Sequence, residues 1–208
     1  MKKYIVLIVE TLVIVGILLM GHFINITGYW RLLWFPFINV LMAISAFISI
    51  KLTGIKVDFE WKNYKQYLIG IGIALVLSFI IGVIPALCGT NFFVGSHANF
   101  SYLDLLYEFA FLILIIGPTE EIIYRVYYQE TFKGLFKTHK WIGIIIASLL
   151  FGLSHIINGS LFTVAFAFGF GLILGFAKEY IKDLHYPGVS LAHGLYDFLL
   201  YVVRLTLV

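Results

Sequence analysis

The sequence LLYEFAFLILIIGPTEEIIYR, residues 105–125, places two glutamates and an arginine at the end of a long apolar run. An ionisable side chain near the centre of a bilayer costs roughly 2.5–3.5 kcal/mol. Charged groups inside a membrane segment are therefore expected to have a partner that neutralises them or a function that requires them. Glu120, Glu121 and Arg125 are the groups to which this expectation applies.

Composition indicates a membrane protein. The chain has 208 residues, of which 62% are hydrophobic and 12% charged, and its mean hydropathy is +1.01. These values are typical of multi-spanning proteins, and the length suits one helical bundle, so we predict an all-α fold with a single membrane domain over residues 1–208. The net charge of +3 is too small to favour a nucleic-acid partner. A single cysteine, Cys88, excludes an internal disulfide and a cysteine-based zinc cage.

Seven apolar segments have about the 17–25 residues needed to cross a bilayer. They are residues 4–26, 33–52, 67–88, 104–129, 141–157, 161–178 and 189–207, the fifth being the shortest. Lysines occur at the N-terminus and in the second, fourth and sixth loops. Arg31 is the only lysine or arginine in the other loops. The positive-inside rule then predicts a cytoplasmic N-terminus and an external C-terminus.

The first apolar segment resembles a secretory signal, because Lys2 and Lys3 precede it. No small-residue cleavage site follows, so we predict a retained span with Glu10 turned toward the bundle. The short chain shows no eukaryotic features, which favours a multi-pass protein of the bacterial plasma membrane. In the sixth segment, Gly171 and Gly175 form a small-residue face that we expect to pack inside the bundle.

Helical spacing separates the two glutamates. Glu121 and Arg125 are four residues apart, so they share a helix face and can neutralise each other. Glu120 lies about 100° further round the helix, off that face. Gly117 and Pro118 are expected to break or kink the span and to hold Glu120 at a cavity wall. The hypothesis is that Glu121 and Arg125 support the structure and Glu120 carries the chemistry.

Three further polar residues lie in the C-terminal apolar segments. They are His155, His193 and Asp197, the last two one helical turn apart. A lone histidine in an apolar helix is more often a hydrogen-bonded packing residue than a catalyst. Two histidines together with Glu120 and an aspartate in the same half of the chain favour one shared polar site.

Three motifs carry a resemblance to a known family. EEIIYR (120–125), FGLSH (151–155) and HGLYD (193–197) resemble the signatures EExxxR, FxxxH and HxxxN/D of the CAAX-protease and bacteriocin-processing family, known as CPBP or Abi. They occur in the right order, each within its own predicted span, and the family-like core covers about residues 104–205. The resemblance implies an intramembrane endopeptidase related to the eukaryotic enzyme that trims prenylated CAAX proteins.

The resemblance also implies a role for each residue. Glu120 with His155 would activate the attacking water, and His193 with Asp197 would stabilise the oxyanion or orient the water. The prenyl-protein enzymes have asparagine where this chain has Asp197, and an ionised aspartate cannot donate to an oxyanion. Asp197 is therefore protonated, orients His193, or is a metal ligand.

Two mechanisms are compatible with these residues. A glutamate in a low-dielectric cavity can accept and return a proton, which favours metal-independent glutamate catalysis. A zinc ion held by Glu120, His155, His193 and Asp197 is the alternative, since two histidines and a carboxylate form a known catalytic zinc set. No HExxH sequence occurs, so spacing does not select zinc. We therefore expect no cofactor, with zinc as the alternative.

The substrate is expected to be a peptide or protein that enters from the cytoplasmic side. A prenylated C-terminus, a leader peptide ending in two glycines and a peptide pheromone are all compatible, so the predicted role is bacteriocin or pheromone processing, or self-immunity. The main alternative is a non-catalytic immunity or partner-binding protein that uses the same polar cavity. A small proton-coupled transporter is less favoured, because the sequence shows no inverted repeat.

Overall fold

The protein is all-helical in the part of the chain that the computed structural model describes, residues 2–24, 26–90, 101–157 and 159–207. These residues form seven helices and no strand. The helices are α1 (Lys2–Phe23), α2 (Gly28–Thr53), α3 (Tyr64–Leu87), α4 (Tyr102–Leu135), α5 (Lys140–Ser154), α6 (Leu161–Tyr180) and α7 (Tyr186–Leu207). Each corresponds to one predicted apolar segment, and the all-α prediction is confirmed.

Five of the described helices, α1, α2, α3, α4 and α6, are long and apolar enough to cross a membrane. Helix α5 is apolar but has only 15 residues, and at 1.5 Å per residue it covers about 22 Å of a hydrocarbon core roughly 30 Å thick. Helix α7 has 22 residues and includes His193, Asp197 and Arg204. The protein is a multi-pass membrane protein, and its orientation with a cytoplasmic N-terminus stays a prediction.

Of the predicted break or kink at Gly117 and Pro118, the break is wrong, because α4 continues through both residues, and the kink stays a prediction. Two π-helical stretches, Leu112–Ile116 and Ile122–Tyr128, lie on either side of them. A proline has no N–H, and its ring clashes with the carbonyl four residues earlier in a regular α-helix. The wider turn before Pro118 accommodates the ring without ending the helix. Such π-helical turns are frequent at functional sites.

Contacts divide the chain into two compact units. Unit 1 comprises residues 1–59 and 119–182, and unit 2 comprises residues 60–118 and 183–208. Unit 1 therefore contains α1, α2, the C-terminal part of α4, α5 and α6. Unit 2 contains α3, the N-terminal part of α4 and α7. The predicted core, about 104–205, contributes residues to both units.

In unit 1, two glycines let α6 pack closely against its neighbours. A Cβ atom on Gly171 would lie 3.0 Å from Arg125 Nη2 and 3.0 Å from the Phe151 ring. A Cβ atom on Gly175 would lie 2.7 Å from the Ile144 side chain. This small-residue face is thus directed at α4 and α5, and the prediction that it packs inside the bundle is confirmed.

Glu10 connects α1 to α2 within unit 1. The residue is 3% exposed, so it is turned inward as predicted. The Ser49 hydroxyl donates to Glu10 Oε2 at 2.8 Å, and Ser45 Oγ lies 3.0 Å from Glu10 Oε1. A buried carboxyl is costly unless it is hydrogen-bonded, and these serines supply that compensation.

In unit 2, α3 and α7 meet backbone to backbone. A Cβ atom on Gly70 would lie 2.4 Å from the carbonyl oxygen of Gly188. The Gly188 N–H donates to the side-chain oxygen of fully buried Gln66 at 3.1 Å. This contact fixes the N-terminal end of α7, the helix that carries His193.

Candidate active site

The hairpin of α4 and α5 in unit 1 places Glu120 and His155 at the same height along the helix axes. The connection between the helices is only residues 136–139, so the helices are antiparallel. The Tyr124 and Phe151 rings contact each other edge to face, with centroids 5.1 Å apart. Glu120 lies one turn before Tyr124, and His155 lies one turn after Phe151. In an antiparallel pair these two steps lead in the same direction, so the carboxyl and the imidazole come to one level.

The two adjacent glutamates of α4 have different environments. Glu121 is fully buried, whereas Glu120 is half-buried. Glu120 is close enough to Tyr124 and Arg125 to interact with both electrostatically. A carboxyl that keeps some exposure can exchange protons with water, which a fully buried one does less readily. The difference supports the assignment of the chemistry to Glu120.

Arg125 is fully buried and lies between Glu121 and Phe151. Its Nε atom is 3.4 Å from Glu121 Oε2, and its guanidinium carbon is 5.3 Å from the centroid of the Phe151 ring. A guanidinium over an aromatic face is attracted by the electron-rich ring. The predicted pair of Glu121 and Arg125 is therefore present, and the same cation supports the ring beside His155.

His155 is oriented by the residue one turn before it. Its Nδ1 atom is 2.8 Å from the carbonyl oxygen of Phe151, and its ring meets the Phe151 ring at 4.9 Å. A carbonyl oxygen only accepts hydrogen bonds, so Nδ1 carries the proton. In this tautomer the Nε2 atom has the lone pair and can accept a hydrogen bond from water.

The FGLSH motif was predicted to lie within a span, but its last residue, His155, lies just beyond the end of helix α5. Helix α5 ends at Ser154, and His155–Ile157 form a turn. The N–H of His155 bonds to the carbonyl of Gly152 three residues earlier, at 3.1 Å. Such tighter bonds are common in the last turn of a helix. His155 is thus held at a helix end rather than inside the helix.

His193 and Asp197 form a pair in unit 2. His193 Nε2 lies 3.4 Å from Asp197 Oδ2. His193 is 2% exposed, while the Asp197 side chain is 29% exposed. Of the three alternatives for Asp197, this geometry supports the one in which the carboxylate orients the imidazole.

Two glycines set the position of His193 in unit 2. A Cβ atom on Gly194 would lie 2.4 Å from the carbonyl oxygen of Leu112 and 2.8 Å from Ile113 Cα. A Cβ atom on Gly117 would lie 2.5 Å from the carbonyl oxygen of Ser190. Backbone atoms of α7 therefore lie against backbone atoms of α4, both in the π-helical stretch Leu112–Ile116 and at Gly117 just after it.

We expect Gly194→Ala to lower stability by about 1–3 kcal/mol, as overpacking does, and to displace His193. Backbone atoms cannot rotate away from the added methyl group, so α7 must shift. Thermal unfolding in detergent measures the first effect. The matched control is Gly72→Ala in α3, where a Cβ atom meets nothing within 4 Å and helix propensity favours alanine. Equal stabilities of the two variants would contradict the close-contact explanation.

The six predicted site residues are distributed over both units. Unit 1 contains Glu120, Glu121, Arg125 and His155, and unit 2 contains His193 and Asp197. Within either unit, the described residues form no group of three or more histidine, cysteine, aspartate or glutamate side chains that could hold a metal ion. A catalytic zinc ion takes three protein ligands, and each unit supplies two of the four candidates.

Two residues near the candidate site, Tyr124 and Gln129, were not among the predicted site residues. Tyr124 follows Glu120 by four residues, and Gln129 follows Arg125 by four, so helical spacing was the available signal. Tyr124 connects the Glu120 face to Phe151. Gln129 is fully buried, and its amide nitrogen lies 3.4 Å from the carbonyl oxygen of Gly175. Both side chains hold α4 in unit 1.

The fold and these residues define a class of protein: a multi-pass helical membrane protein with carboxyl and imidazole groups on the helices of its C-terminal half. Residues 102–199 match the protein family described as Type II CAAX prenyl endopeptidase Rce1-like, and the match includes all three motifs. This description lies within the CPBP family, so the family predicted from the motifs is confirmed over residues 102–199. A comparison with curated proteins gave no significant match.

Proposed function

We propose that the protein is a CAAX-type intramembrane endopeptidase in which Glu120 activates the attacking water. The observation that supports this most is the α4–α5 hairpin, which brings half-buried Glu120 to the level of His155. His155 in turn has its Nδ1 proton bound to the Phe151 carbonyl. A carboxyl and a correctly oriented imidazole at one level are the groups that hydrolysis by activated water requires.

In the proposed reaction, Glu120 removes a proton from water while His155 Nε2 accepts a hydrogen bond from the other O–H. The oxygen attacks the carbonyl carbon of the peptide, and the carbonyl oxygen becomes an oxyanion. Glu120 then gives its proton to the departing amine as the carbon–nitrogen bond breaks. Proton transfer by a positioned side chain contributes typically 10²–10⁴-fold to a rate.

We further propose that His193 donates to the oxyanion. The Asp197 carboxylate, 3.4 Å from His193 Nε2, would orient the ring and stabilise its protonated form. A preorganised donor to an oxyanion is worth roughly 2.7–4 kcal/mol. This role explains how an aspartate serves where the prenyl-protein enzymes have asparagine, because the donor is then the histidine.

The proposed mechanism uses no metal. If zinc is bound, Glu120, His155, His193 and Asp197 would hold it, and the ion would polarise the peptide carbonyl as a Lewis acid. We expect treatment with a membrane-permeant chelator to leave the cleavage rate unchanged. Metal analysis of the same sample checks that zinc has been removed. Loss of activity that zinc restores would contradict glutamate-type catalysis while leaving the protease assignment intact.

The proposed biological role is processing of a bacteriocin or pheromone peptide, or self-immunity, with the peptide entering from the cytoplasmic side. The predicted cytoplasmic loops contain the lysines that support this direction. The test is cleavage by the purified protein in liposomes of three peptide classes: prenylated CAAX peptides, double-glycine leader peptides and hydrophobic pheromone precursors. Products that incorporate heavy oxygen from labelled water support hydrolysis, and the absence of products from all three classes would count against it.

A further inference from the structure

An apolar groove lies beside Glu120 and His155 in unit 1. Its volume is about 380 Å³, and it is bounded by α1, the π-helical stretch Ile122–Tyr128 and the C-terminal end of α5. The lining from α1 includes Ile14, Val15 and Leu18. Helix α1 lies outside residues 102–199, the segment that matches the family.

Residues that line the groove adjoin the proposed reaction site. Ser154 and Ile156, the two neighbours of His155 in sequence, both line it. Ser154 Oγ is 3.3 Å from His155 Nδ1. Tyr124, one turn after Glu120, lines the same groove. A group bound there would therefore lie next to a peptide bond held at Glu120 and His155.

The polar atoms of the groove are mostly committed to other contacts. The Thr11 hydroxyl donates to the Leu7 carbonyl at 2.8 Å, and the Tyr128 hydroxyl donates to Thr11 Oγ1 at 3.1 Å. The Ser154 hydroxyl donates to the Phe151 carbonyl at 2.7 Å. A peptide backbone would lose its hydrogen bonds to water here and gain few in return, which is costly. The chemistry of the lining fits a group without polar atoms.

We propose that this groove binds an aliphatic or aromatic side chain of the substrate, adjacent to the cleaved bond. Val15 and Leu18 of α1 then determine the size of the side chain that is accepted. The proposal rests on the proposed function, and it assigns selectivity to a helix outside the family match. One methylene more or less in an apolar pocket changes selectivity by roughly 10–200-fold.

The test compares Val15→Phe with Val13→Phe. Val13 is absent from the groove lining, is 38% exposed, and lies about 200° from Val15 around the helix. The substrates are apolar peptides that vary only in the residue next to the cleaved bond, which is alanine, leucine or phenylalanine. We expect Val15→Phe to lower the kcat/KM ratio of the phenylalanine peptide to the alanine peptide by about 10-fold or more. Leu18→Ala should raise that ratio, and Val13→Phe should leave it unchanged.

A second readout measures binding of the same peptides to Glu120→Gln protein in liposomes, with and without the change at Val15. One outcome is that the wild-type protein cleaves none of the peptides, while Val15→Phe still shifts binding selectivity. In that case the proposed function fails and the groove assignment stands. Unchanged binding selectivity, or no binding of the peptides, would overturn the groove assignment whatever the cleavage result. A shift seen only with prenylated peptides, or only when the acyl length of the liposome lipid is changed, would assign the groove to a lipid chain and overturn it as well.

Discussion

Glu120→Gln is expected to lower the cleavage rate by at least about 10²-fold, because proton transfer by a positioned side chain contributes typically 10²–10⁴-fold. Glutamine has nearly the same shape as glutamate but cannot take a proton from water. Glu120 is half-buried and is not the carboxylate of the buried Glu121–Arg125 pair, so the variant should stay folded. The measurements are kcat/KM in liposomes and the midpoint of thermal unfolding in detergent.

The control for this prediction is Glu60→Gln, the same chemical change at an exposed position in the loop before α3. It should leave both kcat/KM and thermal stability at the wild-type level. Glu120→Ala should be as inactive as Glu120→Gln, because both lack the base. Retained cleavage in either Glu120 variant would remove the basis of the proposed mechanism. If cells carrying the variant were still protected from a bacteriocin, a non-catalytic immunity or partner-binding role would be the better explanation.

The helices were predictable because long apolar runs in this chain are interrupted by short polar loops. Every predicted segment became a helix, and the small-residue face at Gly171 and Gly175 packs inside the bundle as expected. The predicted break at Pro118 did not occur, although local propensity indicates a break or a kink there. The helix continues because a π-helical turn removes the clash, and neighbouring backbone at Ser190 and Gly194 lies against Gly117. Tertiary packing of this kind is not visible in the residues next to a proline.

The candidate site was predictable as a set of residue types and less so as an arrangement. Spacing of four residues correctly indicated the Glu121–Arg125 and His193–Asp197 pairs. Spacing could not indicate the register between α4 and α5, which depends on the contact of Tyr124 with Phe151. It also could not show that α5 ends one residue before His155, because the apolar run continues to Ile157. An apolar run indicates which residues lie in the membrane. The residue at which the helix ends depends instead on backbone hydrogen bonds.

Arg125→Met is expected to destabilise the protein by about 3–5 kcal/mol, the typical cost of removing one partner of a buried ion pair. Methionine conserves much of the volume, so the cavity term stays small. The loss arises because the carboxylate of fully buried Glu121 is deprived of its cation 3.4 Å away. The guanidinium also leaves the Phe151 ring, so His155 should become less ordered and kcat should fall. Arg31→Met at the exposed start of α2 is the matched control and should change little.

A double-mutant cycle separates the ion pair from the other contacts of Arg125. If the pair dominates, Glu121→Gln combined with Arg125→Met should cost less than the sum of the single changes, with a coupling free energy of about 0.5–3 kcal/mol. The reason is that a buried charge is expensive alone, while its complete removal eliminates the desolvation cost of both groups. Additive effects would instead mean that Arg125 stabilises the protein through the Phe151 ring and the close contact with Gly171. In that case the arginine of the EEIIYR motif would act on His155 through packing, and Glu121→Gln alone would leave the cleavage rate unchanged.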